Sequence, residues 1–558
     1  MNIKYEFDVL LRDAKAFTCD DYNTWAEAIG IKGQSIVFVG TNEEADKHIG
    51  TDTVVYDLDG KMVLPGFIDS HSHPAYLTQN VYSVDLKGCS SVSDYLQKLK
   101  KYADDHPERE IVYGINFDHS LFGPTGPSKS LIDAVIPDRP IVVYSGDGHA
   151  LWVNSETLRL AGIDKDTPEP DGGGFVKDEK GELTGFINTF SALSFFIEQL
   201  PDFTAEEYAM GIKEYIDNGL KSGITFCHDS DVFKQKFYDA YTILERNGLL
   251  KMRFRLAPSI YPSKDESIEE QFETVMRYHN DPKGDILQAN TLKIMFDSVF
   301  YSRTAAVEEP YEGYPNDYGD IQWNIDDMKR VFKRAAEEGI QLEFHCIGDR
   351  ASRIIVETLE DSLSETGLSN KRPMLNHLQL INNDLPERMS KLGAIALPNP
   401  QWVERDGFYQ KMIETLGEER AKRMHPVKTF IDHGVCVATG SDVPVEHRDK
   451  HVEVYYAPLI AIQQAVTRCA IDADYHDENN LVNPSEAVTL KDMIRIFTIN
   501  GAYANFAEDI TGSLEPGKYA DLIVLEKNLF EVDPGEIYKT KILMTMFEGN
   551  VVYQSNEM

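Results

Sequence analysis

The segment His71-Ser72-His73 carries two imidazoles one residue apart. On an extended backbone, side chains two residues apart project from the same side, so both rings can reach one ion. Three more groups of this kind follow: His345 in Glu343-Phe-His345, His377 in Leu375-Asn376-His377, and Asp442 in Ala438-Thr-Gly-Ser-Asp442. Singly, each histidine reads more naturally as a hydrogen-bonded structural residue, and the aspartate as a turn cap. Together they are five nitrogen and oxygen donors, each at the end of a short apolar run, and a divalent metal site requires such a set. A sixth residue stands out in Thr291-Leu-Lys-Ile-Met-Phe296. Alternation puts Leu292, Ile294 and Phe296 on one face and Thr291, Lys293 and Met295 on the other. In a central strand Lys293 would point inward. It is then either a snorkelling or salt-bridged lysine or, beside two divalent cations, a neutral amine that reacts with carbon dioxide. The resulting carbamate has two oxygens able to bridge two metal ions.

These residues need strands to hold them. Eight short apolar runs, at 63–68, 223–227, 254–259, 291–296, 341–344, 373–375, 394–397 and 435–438, alternate with amphipathic helical stretches such as 325–338 and 485–500. That order predicts an α/β fold, a (β/α)8 TIM-like barrel, with chemistry at the C-terminal strand ends. The first two runs are too far apart for one crossover, which predicts an insertion over 78–205, after the first barrel strand. Short β-like pieces at both ends of the chain predict a composite β-sandwich from 1–62 plus 505–558, leaving 63–77 plus 206–504 for the barrel.

The totals limit partners. The 558 residues hold 55 Lys and Arg against 92 Asp and Glu, a net charge of −37. Nucleic acid and anionic membrane would both be repelled, so the expected partner is a small-molecule substrate, with a homodimer left open. Six cysteines without any CxxC spacing argue against a disulfide framework or a cysteine zinc site. The N-terminus has no basic-then-apolar leader, and no apolar run nears the roughly 20 residues of a membrane span. A cytoplasmic protein is expected.

From Leu64-Pro-Gly-Phe-Ile-Asp-Ser-His-Ser-His73 onward the sequence resembles the amidohydrolase superfamily, and more closely amidohydrolase family 3, the branch of N-substituted formamide deformylase-like proteins. The matching segments include Gly148-His-Ala-Leu-Trp-Val-Asn154, Leu292-Lys-Ile-Met-Phe-Asp297, His345-Cys-Ile-Gly-Asp-Arg350, Asn376-His377, Gly440-Ser-Asp-Val-Pro444 and Gly512-Ser-Leu-Glu-Pro-Gly-Lys-Tyr-Ala-Asp521. The resemblance implies one or two divalent ions per chain, with zinc expected. By similarity His71 and His73 would hold the more buried ion with Lys293 and Asp442. His345 and His377 would hold the exposed one, with carboxylated Lys293 bridging a binuclear centre. It also makes His149 and Trp152 candidate substrate contacts, the alternative being a packed pair, and Asp349 with Arg350 a supporting pair behind the ligands. One departure is Asn188, where many relatives carry Glu. Arg303, in a tyrosine-rich loop, could pair with a substrate carboxylate.

The expected reaction is hydrolysis of an amide, or similar non-peptide C–N bond, by metal-activated hydroxide, with Asp442 taking the proton and returning it to the leaving amine. A deaminase of the same superfamily commonly has Glu three residues after the fifth-strand histidine, and position 348 is Gly. Ester or lactone hydrolysis uses the same hydroxide and stays open. A barrel that only binds would lack ligands, and none of the six is missing.

Overall fold

Val, Ile, Leu and Phe crowd the central runs because a strand covered on both faces has no solvent side to keep polar. A computed structural model describes residues 6–123, 125–146, 150–169, 174–263, 266–281, 284–366, 371–444 and 458–558. The chain divides into two units, Met1–Pro74 with Tyr215–Met558, and Ala75–Glu214.

In the first unit, parallel strands form two sheets. One has the order Leu287–Ala289, Arg253–Leu256, Ile224–Asp229, Phe67–Ser72. The other runs Ser259–Ile260, Thr291–Met295, Gln341–Cys346, Met374–His377, Ile395–Pro398, Cys436–Val437. The segment 253–260 enters both sheets. Hydrogen bonds from Ser70 N to Thr439 O (3.0 Å) and from Asp442 N to His71 O (2.8 Å) link their far edges. The result is a TIM-barrel-like α/β domain. Helix Ile325–Glu338 shows how its helices are specified: Asn324 caps its start, Gly339 ends it at φ 78°, and Met328, Val331, Phe332 and Ala335 form its buried face. That spacing is one apolar stripe of an α-helix.

Two corrections arise here. The run at 63–68 is two elements: Met62–Pro65 joins a different sheet, and the parallel strand is Phe67–Ser72. Pro65-Gly66 separates them, and a Cβ at Gly66 would lie 2.2 Å from Thr225 Oγ1. His71 is therefore inside its strand rather than beyond it. The helix expected over 485–500 is also two, Leu490–Ile496 and Ile499–Ala504. Thr489 and Asp492 form a capping box that delays the start, and Thr498, at φ −126°, ψ −98°, breaks the run.

Strands from both chain ends share a sheet, in the order Asn550–Gln554, Ile542–Phe547, Leu522–Leu525, Met62–Pro65, Lys15–Phe17, Trp25–Ala26. A second sheet holds Ser35–Gly40, Ala28–Lys32, Val9–Arg12 and Val54–Asp57. Leu11, Ile29 and Ile31 from one and Val63, Leu522 and Met544 from the other lie in a single apolar cluster. The unit Ala75–Glu214 has its own six-stranded sheet with Ile141–Ser145 and Leu151–Val153 near its centre. Among the described residues no helix is long and apolar enough to cross a membrane.

Candidate metal centre

Gly440 brings the last parallel strand against the first. A Cβ there would meet His71 N at 2.2 Å and His71 O at 2.4 Å, so no side chain fits. The next residue, Ser441, is gripped by Asp69: Ser441 N donates to Oδ1 (2.8 Å) and Ser441 Oγ to Oδ2 (2.6 Å), which also accepts from Tyr215 OH (2.6 Å). Asp442 then turns inward on a left-handed backbone, φ 57°, and His377 does the same at φ 72°. Such conformations cost non-glycine residues roughly 1–3 kcal/mol each and persist where the surroundings enforce them. The bond from Asp442 N to His71 O and that from Leu378 N to Cys346 O (3.0 Å) do so here.

The side chains converge. Asp442 Oδ1 lies 3.2 Å from His71 Nε2 and 3.0 Å from His73 Nε2, with Oδ2 4.0 Å from His377 Nδ1. Ligand atoms of His71, His377 and Asp442 all fall within 4.8 Å of one another, and all three residues are buried. The His345 ring centroid is 4.5 Å from that of His377. His377 Nδ1 donates to Asn399 Oδ1 (2.8 Å), and Trp402 stacks on the same ring at 5.5 Å and 11°. Lys293 is 1% exposed, and its Nζ lies 3.3 Å from Glu343 Oε1.

Electrostatics prepare these groups for coordination. Burial raises the Asp442 carboxyl, but the charges and hydrogen bonds of His71 and His73, with His377, outweigh it and hold it far below the usual range. Burial, helped by Lys293, pushes His345 down to about 3, and burial with neighbouring His345 lowers His377. For His73, burial pulls down, while Asp442 and then Asp231 and Asp229 more than restore it. An ionised carboxylate and neutral imidazoles are the states that bind a divalent ion, so Asp442, His345 and His377 are ready for one, whereas His73, held up by its acidic neighbours, must release a proton to join them.

The other residues singled out from sequence have different surroundings. His149 lies outside the described residues. Trp152 is 0% exposed; its indole N–H donates to Ser128 O (3.0 Å), and its ring meets Phe122 at 5.1 Å. It is a core residue with no free face for substrate, a correction to its reading as a contact. Arg303 already has a partner, Asp317 at 2.9 Å, and lies over the Tyr314 ring at 4.0 Å. Asp349 does not pair with Arg350; it accepts the backbone N–H groups of Glu308 and Arg350, both at 3.0 Å. Asn188 N bonds Gly174 O (3.0 Å) in the second unit.

Several contributors escaped the sequence reading: Asp69, His228, Asp297, Glu343, Asn376, Asn399 and Trp402. Asp297 gathers the N–H groups of Ala306, Ile347 and Gly348 at 2.9–3.0 Å and lies 3.3 Å from His345 Nδ1. Glu343 had a visible signal. In Gln341–Cys346 it shares a strand face with His345, opposite Leu342 and Phe344.

Buried imidazoles and a carboxylate, brought together at the C-terminal ends of TIM-barrel-like parallel strands, define a metal-dependent hydrolase of the barrel class. The chain belongs to the amidohydrolase family, whose model matches residues 54–553. The protein YtcJ of Bacillus subtilis (strain 168) is 28% identical over 535 residues, 95% of this chain and 96% of its own. The N-substituted formamide deformylase of Arthrobacter pascens is 26% identical over 561 residues, 98% of each chain. A metal-dependent hydrolase of Pyrococcus furiosus shares the fold, with a TM-score of 0.76 at 24% identity over 93% of this chain and 99% of its own.

Proposed function

We propose that the protein hydrolyses an amide, or a related non-peptide C–N bond, of a small molecule at a centre held by His71, His73, Lys293, His345, His377 and Asp442. The observation that carries this reading is the convergence of buried His71, His377 and Asp442 ligand atoms within 4.8 Å. The donor set fits zinc or a similar borderline ion, one or two per chain. Bound there, a divalent ion would polarise a carbonyl and bring the pKa of water to about 7. Asp442, already ionised and within reach of both His71 and His73, takes a proton at Oδ1 and returns it to the leaving nitrogen. An amine needs that proton, because an amide anion is too basic to depart.

Lys293 fits a carbamate under one condition. Its ammonium balances Glu343 in the metal-free state, whereas a carbamate would set two anions side by side, which two divalent cations can offset. We assign carboxylation to the metal-loaded, binuclear state. A deaminase is disfavoured because a Cβ at Gly348 would lie 1.9 Å from Ala306 O, which leaves no room for Glu there. The name of the Arthrobacter pascens relative puts N-substituted formamides first among substrates. We also assign 67–74 plus 215–504 to the barrel, 1–65 plus 505–558 to a composite sandwich and 75–214 to an insertion. The six free cysteines suit a cytoplasmic site of action.

The test is metal analysis followed by turnover of N-formyl, N-acyl and cyclic amides beside matched lactones. Bound divalent metal and faster amide than lactone cleavage are expected. Protein that binds no divalent metal ends the reading, and activity confined to lactones ends the C–N assignment.

A further inference from the structure

Glu343 is fully buried and accepts from four sides. Oε1 takes His71 Nδ1 (3.1 Å), Asn376 Nδ2 and Lys293 Nζ (3.3 Å), and Oε2 takes His228 Nε2 (2.9 Å). Three of these donors crowd Oε1 and one meets Oε2, so the carboxylate is held on both oxygens. When Nε2, which lies 3.2 Å from Asp442 Oδ1, serves as the metal ligand, Nδ1 must carry the hydrogen, and Glu343 is the acceptor that faces it.

His228 is arranged to back this carboxylate. Its other nitrogen, Nδ1, lies 2.6 Å from Asn505 Oδ1, and Asn505 is oriented by donating Nδ2 to Gly501 O (2.9 Å). Both ring nitrogens of His228 therefore face oxygens, which holds the fully buried ring between Asn505 and Glu343 and fixes Oε2 of that carboxylate.

We propose that Glu343, held in place by His228, is the positioning residue that orients His71 through its Nδ1 and so sets the strength of divalent-metal binding. This rests on the metal-hydrolase reading above. It goes further by assigning a role to two residues outside the ligand set. A histidine ligand whose outer nitrogen is held by a carboxylate is oriented and made more basic, and losing such a partner weakens metal binding or activity about 10–100-fold. Asn376 offers a way to test position separately from charge. Its amide lies 2.9 Å from His71 Nδ1 and touches Glu343, so a carboxylate introduced at 376 would face the same nitrogen from the neighbouring strand.

The experiment measures zinc affinity by competition with a chromophoric chelator, together with kcat and KM, for wild type, Glu343→Gln and the swap Glu343→Gln/Asn376→Glu. Expected are a 10–100-fold weaker zinc affinity in Glu343→Gln, with kcat falling more than KM changes, and recovery of most of that affinity in the swap. Zinc bound by Glu343→Gln as tightly as by wild type overturns the proposal, as does a folded swap that stays as weak as the single variant. If neither variant folds, nitrogen-15 histidine spectra of zinc-loaded wild type decide, with the His71 resonances assigned by their loss in His71→Gln. They should show His71 bound to zinc through Nε2 with a slowly exchanging hydrogen on Nδ1; zinc bound through Nδ1 overturns the proposal. Failure of the wild type itself to bind zinc would instead sink the underlying reading.

Discussion

Two buried sheets in this protein are filled in opposite ways. In the Ala75–Glu214 unit, strands Val112–Phe117, Ile141–Ser145 and Leu151–Val153 bury Val112, Phe117, Ile141, Val143, Leu151 and Trp152. In the parallel sheets, strands just as inaccessible bury Asp69, His71, His228, Asp229, Lys293, Glu343, Asn376 and His377. Dispersion and water release hold the first set, and any well-shaped apolar replacement serves. The second set carries a desolvation penalty of several kcal/mol per ion and survives only through mutual pairing. Buried charge placed at that cost marks where chemistry is done.

The contrast can be broken most strongly at Asp442. Asp442→Asn should lower kcat/KM by about 10²–10⁴ while the protein stays folded; full turnover with metal bound would remove Asp442 from proton transfer. Stripping the metal with a chelator should abolish activity, and adding zinc back should restore it. On the apolar side, Trp152→Ala should cost about 3–5 kcal/mol of stability, read from the urea midpoint. A shift below ~1 kcal/mol would mean that Trp152 is no core residue.

Acid should also separate the two regions. His425, in the parallel-sheet unit, is pushed down to about 3 by burial and by the charge of Arg468. Between pH 6.5 and about 3 the unfolded chain takes up a proton at this histidine and the folded chain does not. Stability contributed there is therefore lost as pH falls through that window. Asp297, raised by burial to about 7, acts with the opposite sign, so the comparison must be between variants. Metal-free His425→Asn should show a flatter fall in urea midpoint from pH 6.5 to 4 than wild type, and an unchanged slope would refute the assignment. The smallest effect is expected at Ser441→Ala, which removes one hydroxyl from buried Asp69. Roughly 1–3 kcal/mol of stability should be lost, with kcat lowered because Asp442 is the next residue. Unaltered kcat would show that Asp69 does not position Asp442.

Much of the fold was legible because its signals are local. Helix Ile325–Glu338 could be read to the residue from its apolar spacing and its Asn and Gly ends. All eight strand candidates overlap parallel strands, the first only at its end, since short apolar runs between turn residues announce themselves. The split at Pro65-Gly66 was missed because both halves are apolar, and only the contact with Thr225 shows where one sheet ends. Among site residues, histidines and an aspartate past apolar runs drew attention by type. Trp152 was misread for the same reason, since an aromatic beside a histidine looks alike whether it packs in a core or faces a ligand.

The sequence alone determined which donors the protein has, their order along the chain and the strands that carry them, because periodicity and turn chemistry act within a few residues. Only the tertiary structure decided the pairings. His73 meets Asp442 across 369 residues and His71 meets Glu343 across 272. Such contacts depend on sheet register and on the close approach allowed at Gly440, which no local pattern records. The same long-range packing turned Glu343 from one more alternating residue into the carboxylate on which Lys293, His71 and His228 converge, since burial leaves these polar groups no water to pair with.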